Sequence, residues 1–113
     1  MTKRTIYLAG PMRGQPDLNF PTFNRVAAHL RAWGSVVFNP AEFGEGGGIR
    51  SIFIEDVEAL MQCDLLVLLP GWKDSLGAKA EYALARAVGM EVHTWNVCAQ
   101  TTFPLSKDLE LNV

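Results

Sequence analysis

The sequence predicts an α/β fold: a three-layer sandwich around a mostly parallel sheet of four to five strands. Three observations carry this reading. Short apolar runs alternate with longer segments of helical periodicity, in the order strand, helix, strand, helix, strand, helix, strand. Glycine or proline closes most of these runs. The third run, Asp64 to Leu69, is almost continuously apolar, as in a strand covered on both faces. With 113 residues, the chain has the length of one domain and can bury a core without staples. The expected domain spans residues 1–113, with a core from about 5 to 94 and a tail over 95–113.

Each element follows from its local pattern. Thr5 to Ala9 is a buried strand that ends in the Gly10-Pro11 turn. From Asn19 to Trp33, the residues Phe23, Val26, Ala27, Leu30 and Trp33 recur at helical spacing, and Gly34 stops the helix. Ser35 to Asn39 is a second strand, closed by Pro40. Gly44 to Gly48 is a glycine-rich loop, either a lid or a plain flexible connection. A helix over Ser51 to Gln62 leads to the third strand. The loop Pro70 to Asp74 opens a helix over Ser75 to Val88, which Gly89 ends, and Glu91 to Trp95 is the fourth strand. The tail has no clear period: a short final strand with a loose end, or an arm onto a neighbouring subunit. Alternating strands and helices imply right-handed crossovers, hence a Rossmann-like, flavodoxin-like sandwich. In such sheets ligands bind beyond the carboxyl ends of the strands, here at Gly10 to Asp17, Asn39 to Arg50 and Pro70 to Ser75.

Composition narrows the partners. A formal charge of −2 and no run of Lys or Arg give no general attraction to a nucleic-acid polymer, so a small molecule is the expected ligand. Cys63 and Cys98 form neither a disulfide framework nor a metal cluster, and His29 and His93 stand apart as surface or packing residues. No metal site and no cofactor are expected. The apolar run after the basic N-terminus is too short for a signal peptide, and no stretch is long enough to span a membrane. A cytoplasmic location is expected.

The strongest chemical signal is the direction of Glu81. Lys79 and Arg86, seven apart, mark the charged face of the third helix. At ~100° per residue, Glu81 points roughly 200° away from Lys79, among Ala78, Tyr82, Leu84 and Ala85. A carboxylate there is costly unless it is paired, hydrogen-bonded or in a cleft. A structural glutamate bonded to Tyr7 or to a backbone amide is the alternative. Asp56 repeats the pattern more weakly. It lies off the polar face formed by Ser51, Glu55, Glu58 and Gln62, between Ile52 and Leu60. Two misplaced acids on neighbouring helices suit glycosidic-bond cleavage, one as nucleophile or acid and one as helper.

The surrounding loops fit an anionic or aromatic ligand. Gly10, Met12, Arg13 and Gly14 form a turn in which the backbone approaches closely and Arg13 can grip phosphate. Ser75 is a candidate N-cap, and with Gly77 it leaves first-turn amides facing outward. Trp72 either stacks on a base or covers the sheet end. Asp17 and Asn19 read as turn and cap residues.

These residues also carry a resemblance. Tyr7 to Gly14, then Asn19-Phe20-Pro21 with Phe23, then Asn39-Pro40-Ala41, resemble small bacterial and phage proteins grouped with the nucleoside 2-deoxyribosyltransferases. Asp56, the run Cys63 to Val67, and Ser75-Leu76-Gly77 followed by Glu81 are similar to the 2'-deoxynucleoside 5'-phosphate N-hydrolases. The likeness covers roughly residues 5 to 94. It implies cleavage or transfer of an N-glycosidic bond on a nucleoside or its 5'-monophosphate, with Glu81 as nucleophile and Asp56 as helper. Tyr7, Gly10, Met12, Arg13, Gly14, Trp72, Ser75 and Gly77 would then surround the substrate. The hydrolases carry a serine where this chain has Pro11, which has neither N–H nor hydroxyl, so phosphate binding by this loop would lean on Arg13 and Gly14. A non-catalytic nucleotide-binding or sensing module is the competing expectation. The apolar circumference of the third helix predicts a homodimer or larger homo-oligomer, as the resemblance also does.

Overall fold

The computed structural model describes residues 3–43 and 48–106. Five strands and three helices alternate: β1 (Thr5–Ala9), α1 (Phe20–Ala32), β2 (Val36–Phe38), α2 (Ile49–Leu60), β3 (Leu65–Leu68), α3 (Leu76–Ala87), β4 (Glu91–Asn96) and β5 (Thr101–Pro104). Their order in the sheet is β2-β1-β3-β4-β5. The first four strands are mutually parallel, and β5 runs antiparallel to β4. This is the flavodoxin-like doubly wound order with an antiparallel edge.

Strand alternation sorts the core into two layers. Ile6, Leu8, Leu65, Val67 and Leu69 point to the face covered by Phe23, Val26, Ala27 and Leu30 of α1. Tyr7, Ala9, Leu66 and Leu68 point to the opposite face, under Ala59 and Leu60 of α2 and Ala78, Tyr82 and Ala85 of α3. β3 is buried on both sides, which is why its sequence is apolar without alternation. α1 and α3 both end on a left-handed glycine, Gly34 at φ 95° and Gly89 at φ 76°. In each, the glycine amide and the one after it bond back to carbonyls of the last turn: Gly34 to Arg31 and Ser35 to Leu30, Gly89 to Arg86 and Met90 to Ala85.

The structure departs from the sequence reading in a few places. α2 begins at Ile49, two residues before the expected Ser51. The tail supplies an edge strand, β5, and continues to Ser106; Lys107 to Val113 lie outside the described residues. So do Gly44 to Gly47, the bulk of the glycine-rich loop, whereas Gly48 is the extended N-cap of α2. Arg86 is not a plain solvent marker. Its guanidinium donates to the Tyr82 hydroxyl and to the carbonyls of Leu105 and Ser106, fastening the segment after β5 to α3. Among the described residues no helix is long and apolar enough to cross a membrane.

Candidate active site

Beyond the carboxyl ends of β1 and β3 lies a cleft of about 1150 Å³. It sits where the topology dictates. The chain leaves β1 through α1 to reach β2 on one side, then returns through α2 to β3 on the other, so the loops diverge at this point. Its walls come from the loop after β1, the start of α1, the loop after β2, α2, and the start of α3.

Glu81 sits in the second turn of α3, only 6% exposed, and lines the cleft. The Tyr7 hydroxyl donates to its Oε2 at 2.6 Å. No fully buried side-chain oxygen among the described residues lacks a hydrogen-bond partner. Oε1 of Glu81, with no bond of its own among those residues, is therefore open to the cleft. Both halves of the sequence argument apply: the acid has the internal partner that was considered, Tyr7, and it also has a cavity beside it. No cation pairs with it among the described residues, so burial pushes its pKa up to about 8. The Tyr7 hydrogen bond pulls the other way, and the Asp56 charge raises it further. Burial and the neighbouring Glu81 and Asp56 charges drive the Tyr7 phenol far above its ordinary value, so it stays a donor.

Asp56 projects from α2 into the same cleft, half-buried. Loss of solvent and the nearby Glu55 charge raise it to about 6. Two carboxyl groups on neighbouring helices thus share one cavity, both biased toward protonation and coupled through their charges.

Ser75 caps α3, its Oγ accepting from the Ala78 amide at 3.2 Å. With that amide occupied and the Lys79 amide bonded to the Ser75 carbonyl, the amides of Leu76 and Gly77 precede any intrahelical acceptor. Gly77 lines the cleft, and a Cβ there would meet nothing within 4 Å, so the protein itself does not fill this space. Gly10 is different. A Cβ there would lie 2.8 Å from Cβ of Leu69, so packing against the end of β3 demands this glycine. Pro11 lies against the loop after β3, where a Cβ on Gly71 would come within 3.2 Å of its ring. Met12 and Arg13 line the cleft, with Arg13 exposed.

Two expected site residues are not in the lining. Gly14 is in a left-handed turn with φ 77°, outside the cleft wall. Trp72 is buried against Tyr82, ring centroids 5.1 Å apart, and borders a separate 360 Å³ pocket near β4. Of the two roles considered, it fills the one of hydrophobic cover, because the short helical turn Trp72–Asp74 aims its indole at the core.

Other cleft residues escaped the sequence reading. Arg25 lines the cleft from α1, one turn beyond Thr22. Phe43 and Phe53 line it from the loop after β2 and from α2. The three-residue spacing of Thr22 and Arg25 near the start of α1 was the available clue, since a helix following β1 begins at the ligand end of the sheet. Asn19 occupies the N-cap position of α1 but makes no cap bond, because its backbone is left-handed at φ 61°. Its Nδ2 instead donates to the Pro11 carbonyl at 2.9 Å and latches the loop shut. Asp17 and Leu18 are left-handed too, at φ 52° and 54°. Three such non-glycine residues in a row store strain of roughly 1–3 kcal/mol each, and two of them, Leu18 and Asn19, line the cleft.

Residues 4–94 match the family described as Domain of unknown function (DUF4406). The chain belongs to that family. No curated protein matches it. Among solved structures it is similar to a 2-desoxiribosyltransferase from Leishmania mexicana, with 24% identity and a TM-score of 0.68. The likeness covers 81% of this chain and 63% of that enzyme, so the protein spans less than two thirds of its neighbour's length. The fold is thus the nucleoside deoxyribosyltransferase fold.

Proposed function

We propose that the protein cleaves or transfers the N-glycosidic bond of a nucleoside or nucleoside 5'-monophosphate through a covalent glycosyl–Glu81 intermediate. One observation carries the reading: a buried carboxylate with one oxygen held by Tyr7 and the other open to a large cleft. A nucleophile needs this arrangement, fixed in direction and free at the attacking atom. The deoxyribosyltransferase fold adds support.

In the first step Oε1 of Glu81 bonds to C1' as the bond from C1' to the base nitrogen breaks, and the electron pair leaves with the base. Asp56, raised toward protonation, supplies the proton that neutralises the departing base. In the second step the oxygen of water, or the nitrogen of a second base, bonds to C1' and the ester C–O bond breaks. Glu81 is regenerated, and Asp56 accepts the proton. Arg13, Ser75 and Gly77 hold the 5' end. The active state has Glu81 ionised and Asp56 protonated, so kcat/KM is bell-shaped, falling below about 6 and above about 8.

The test is incubation with deoxynucleosides and their monophosphates, reading free base by chromatography and a glycosyl adduct by intact mass. Release of base and an adduct located on Glu81 are expected; turnover that persists in Glu81→Gln overturns the assignment. A second free base added to the reaction yields a new nucleoside from a transferase and none from a hydrolase. The competing reading, a binding module without chemistry, rests on the same acid. At about 8, Glu81 keeps its proton near pH 7 and is equipped to hydrogen-bond a ligand. Tight nucleotide binding with no base released favours that module. Exposed Ile54 on α2 and Met61 just after it favour a homodimer; light scattering is expected to give twice the monomer mass. The formal net charge of −2 and the cleft support a small-molecule substrate over a nucleic-acid polymer, and a cytoplasmic location is part of the same proposal.

A further inference from the structure

Five of the six arginines of this protein fall into two groups; Arg50, exposed at the start of α2, belongs to neither. Arg4 pairs with Glu91, Arg31 pairs with Glu42 through two bonds, and Arg86 is tied to Tyr82 and Leu105. Arg13 and Arg25 have no carboxylate partner among the described residues, and both line the cleft. They come from the loop after β1 and from α1. The acids that line the same cleft, Glu55, Asp56, Asp74 and Glu81, all come from the opposite side of the chain, from α2 onward. The cleft thus takes its arginines from the elements before β2 and its acids from the elements after it.

A single phosphate is met by one guanidinium together with the first-turn amides of α3. That leaves the second guanidinium without a task. The cleft volume, about 1150 Å³, also exceeds the roughly 300–1,000 Å³ of pockets that hold drug-sized ligands. We infer that the preferred ligand is a nucleoside 5'-diphosphate, free or esterified, with Arg25 binding the second phosphate. This rests on the N-glycosidic reading of the cleft and extends it: the sugar lies at Glu81, and the diphosphate runs toward Arg13 and Arg25.

The probes are the mono- and diphosphates of the four common deoxynucleosides, and a dinucleotide joined through a 5'-diphosphate. Binding is read by calorimetry on the full-length Glu81→Gln protein, so that turnover does not interfere. Base release is followed separately on the wild type. A diphosphate, free or esterified, is expected to bind about tenfold to a hundredfold tighter than the monophosphate, and the stronger of the two identifies the source. Arg25→Ala should collapse that ratio to within about twofold of unity, and Arg25→Lys should restore part of it. Arg13→Ala should weaken both classes. Equal affinity for mono- and diphosphates, or a ratio that survives Arg25→Ala, overturns the inference. Base release from monophosphates with no diphosphate preference leaves the glycosidic reading standing without it. Arg25-dependent diphosphate binding with no base released does the reverse.

Discussion

Two glutamates at opposite ends of the sheet show how context divides one side chain into two chemistries. At the amino end, Glu91 is exposed, its Oε2 2.6 Å from the Arg4 guanidinium and 2.7 Å from Nε2 of His93. Those partners hold its carboxyl below the usual range. At the carboxyl end, Glu81 is buried, has a tyrosine instead of a cation, and is raised to about 8. The first is a surface pair, worth at most about 1 kcal/mol and screened by salt. The second costs stability when ionised and faces empty space. The Tyr7 hydrogen bond relieves it only in part, and no cation pairs with it among the described residues, as expected where stability is given up for function.

The sharpest way to break the contrast is Glu81→Gln. Base release is expected to drop by about 10³-fold or more, measured as kcat/KM. The same change should stabilise the protein on the alkaline side. A raised pKa contributes stability that is full below the unfolded value and is lost as pH rises through about 8. Neutral glutamine avoids that loss, so the gain in unfolding free energy, followed by melting temperature, should grow from pH 4.5 to 8, reaching on the order of 1 kcal/mol. Asp56→Asn comes next, with a loss of about 10²-fold. The alkaline limb of the pH profile should vanish, and the acidic limb should move up from about 6 toward the pKa of Glu81, which without the Asp56 charge lies somewhat below about 8. Tyr7→Phe removes the bond that lowers Glu81, so the alkaline limb should move up and less of the protein should carry an ionised Glu81, with a rate loss of about tenfold measured at pH 7. Glu91→Gln should be the mildest. Activity should stay within about twofold, and any stability loss, under about 1 kcal/mol, should disappear in high salt and at low pH, where the native carboxylate is protonated too.

The legible part of this protein is whatever one element decides alone. Apolar runs and their glycine stops placed the first four strands and the three helices to within about two residues, because burial period and the left-handed tolerance of Gly34 and Gly89 are local properties. The inward direction of Glu81 was readable for the same reason, since helix geometry fixes its angle to Lys79. What stands opposite a side chain is not local. Trp72 turned to Tyr82 and not to the cleft, Asn19 became a latch on Pro11 and not a helix cap, and Arg25 joined the cleft wall.

The chain by itself therefore determined the elements, their order, the two-sided burial of β3 and the awkward face chosen by Glu81. Only the tertiary structure decided that β5 closes the edge antiparallel to β4 and that Tyr7 holds one oxygen of Glu81. It also brought Arg13 and Arg25, which have no carboxylate partner among the described residues, into the same cleft as the acids. Periodicity follows from bonds within a segment, whereas a site is made by segments far apart in sequence, whose meeting no single segment encodes.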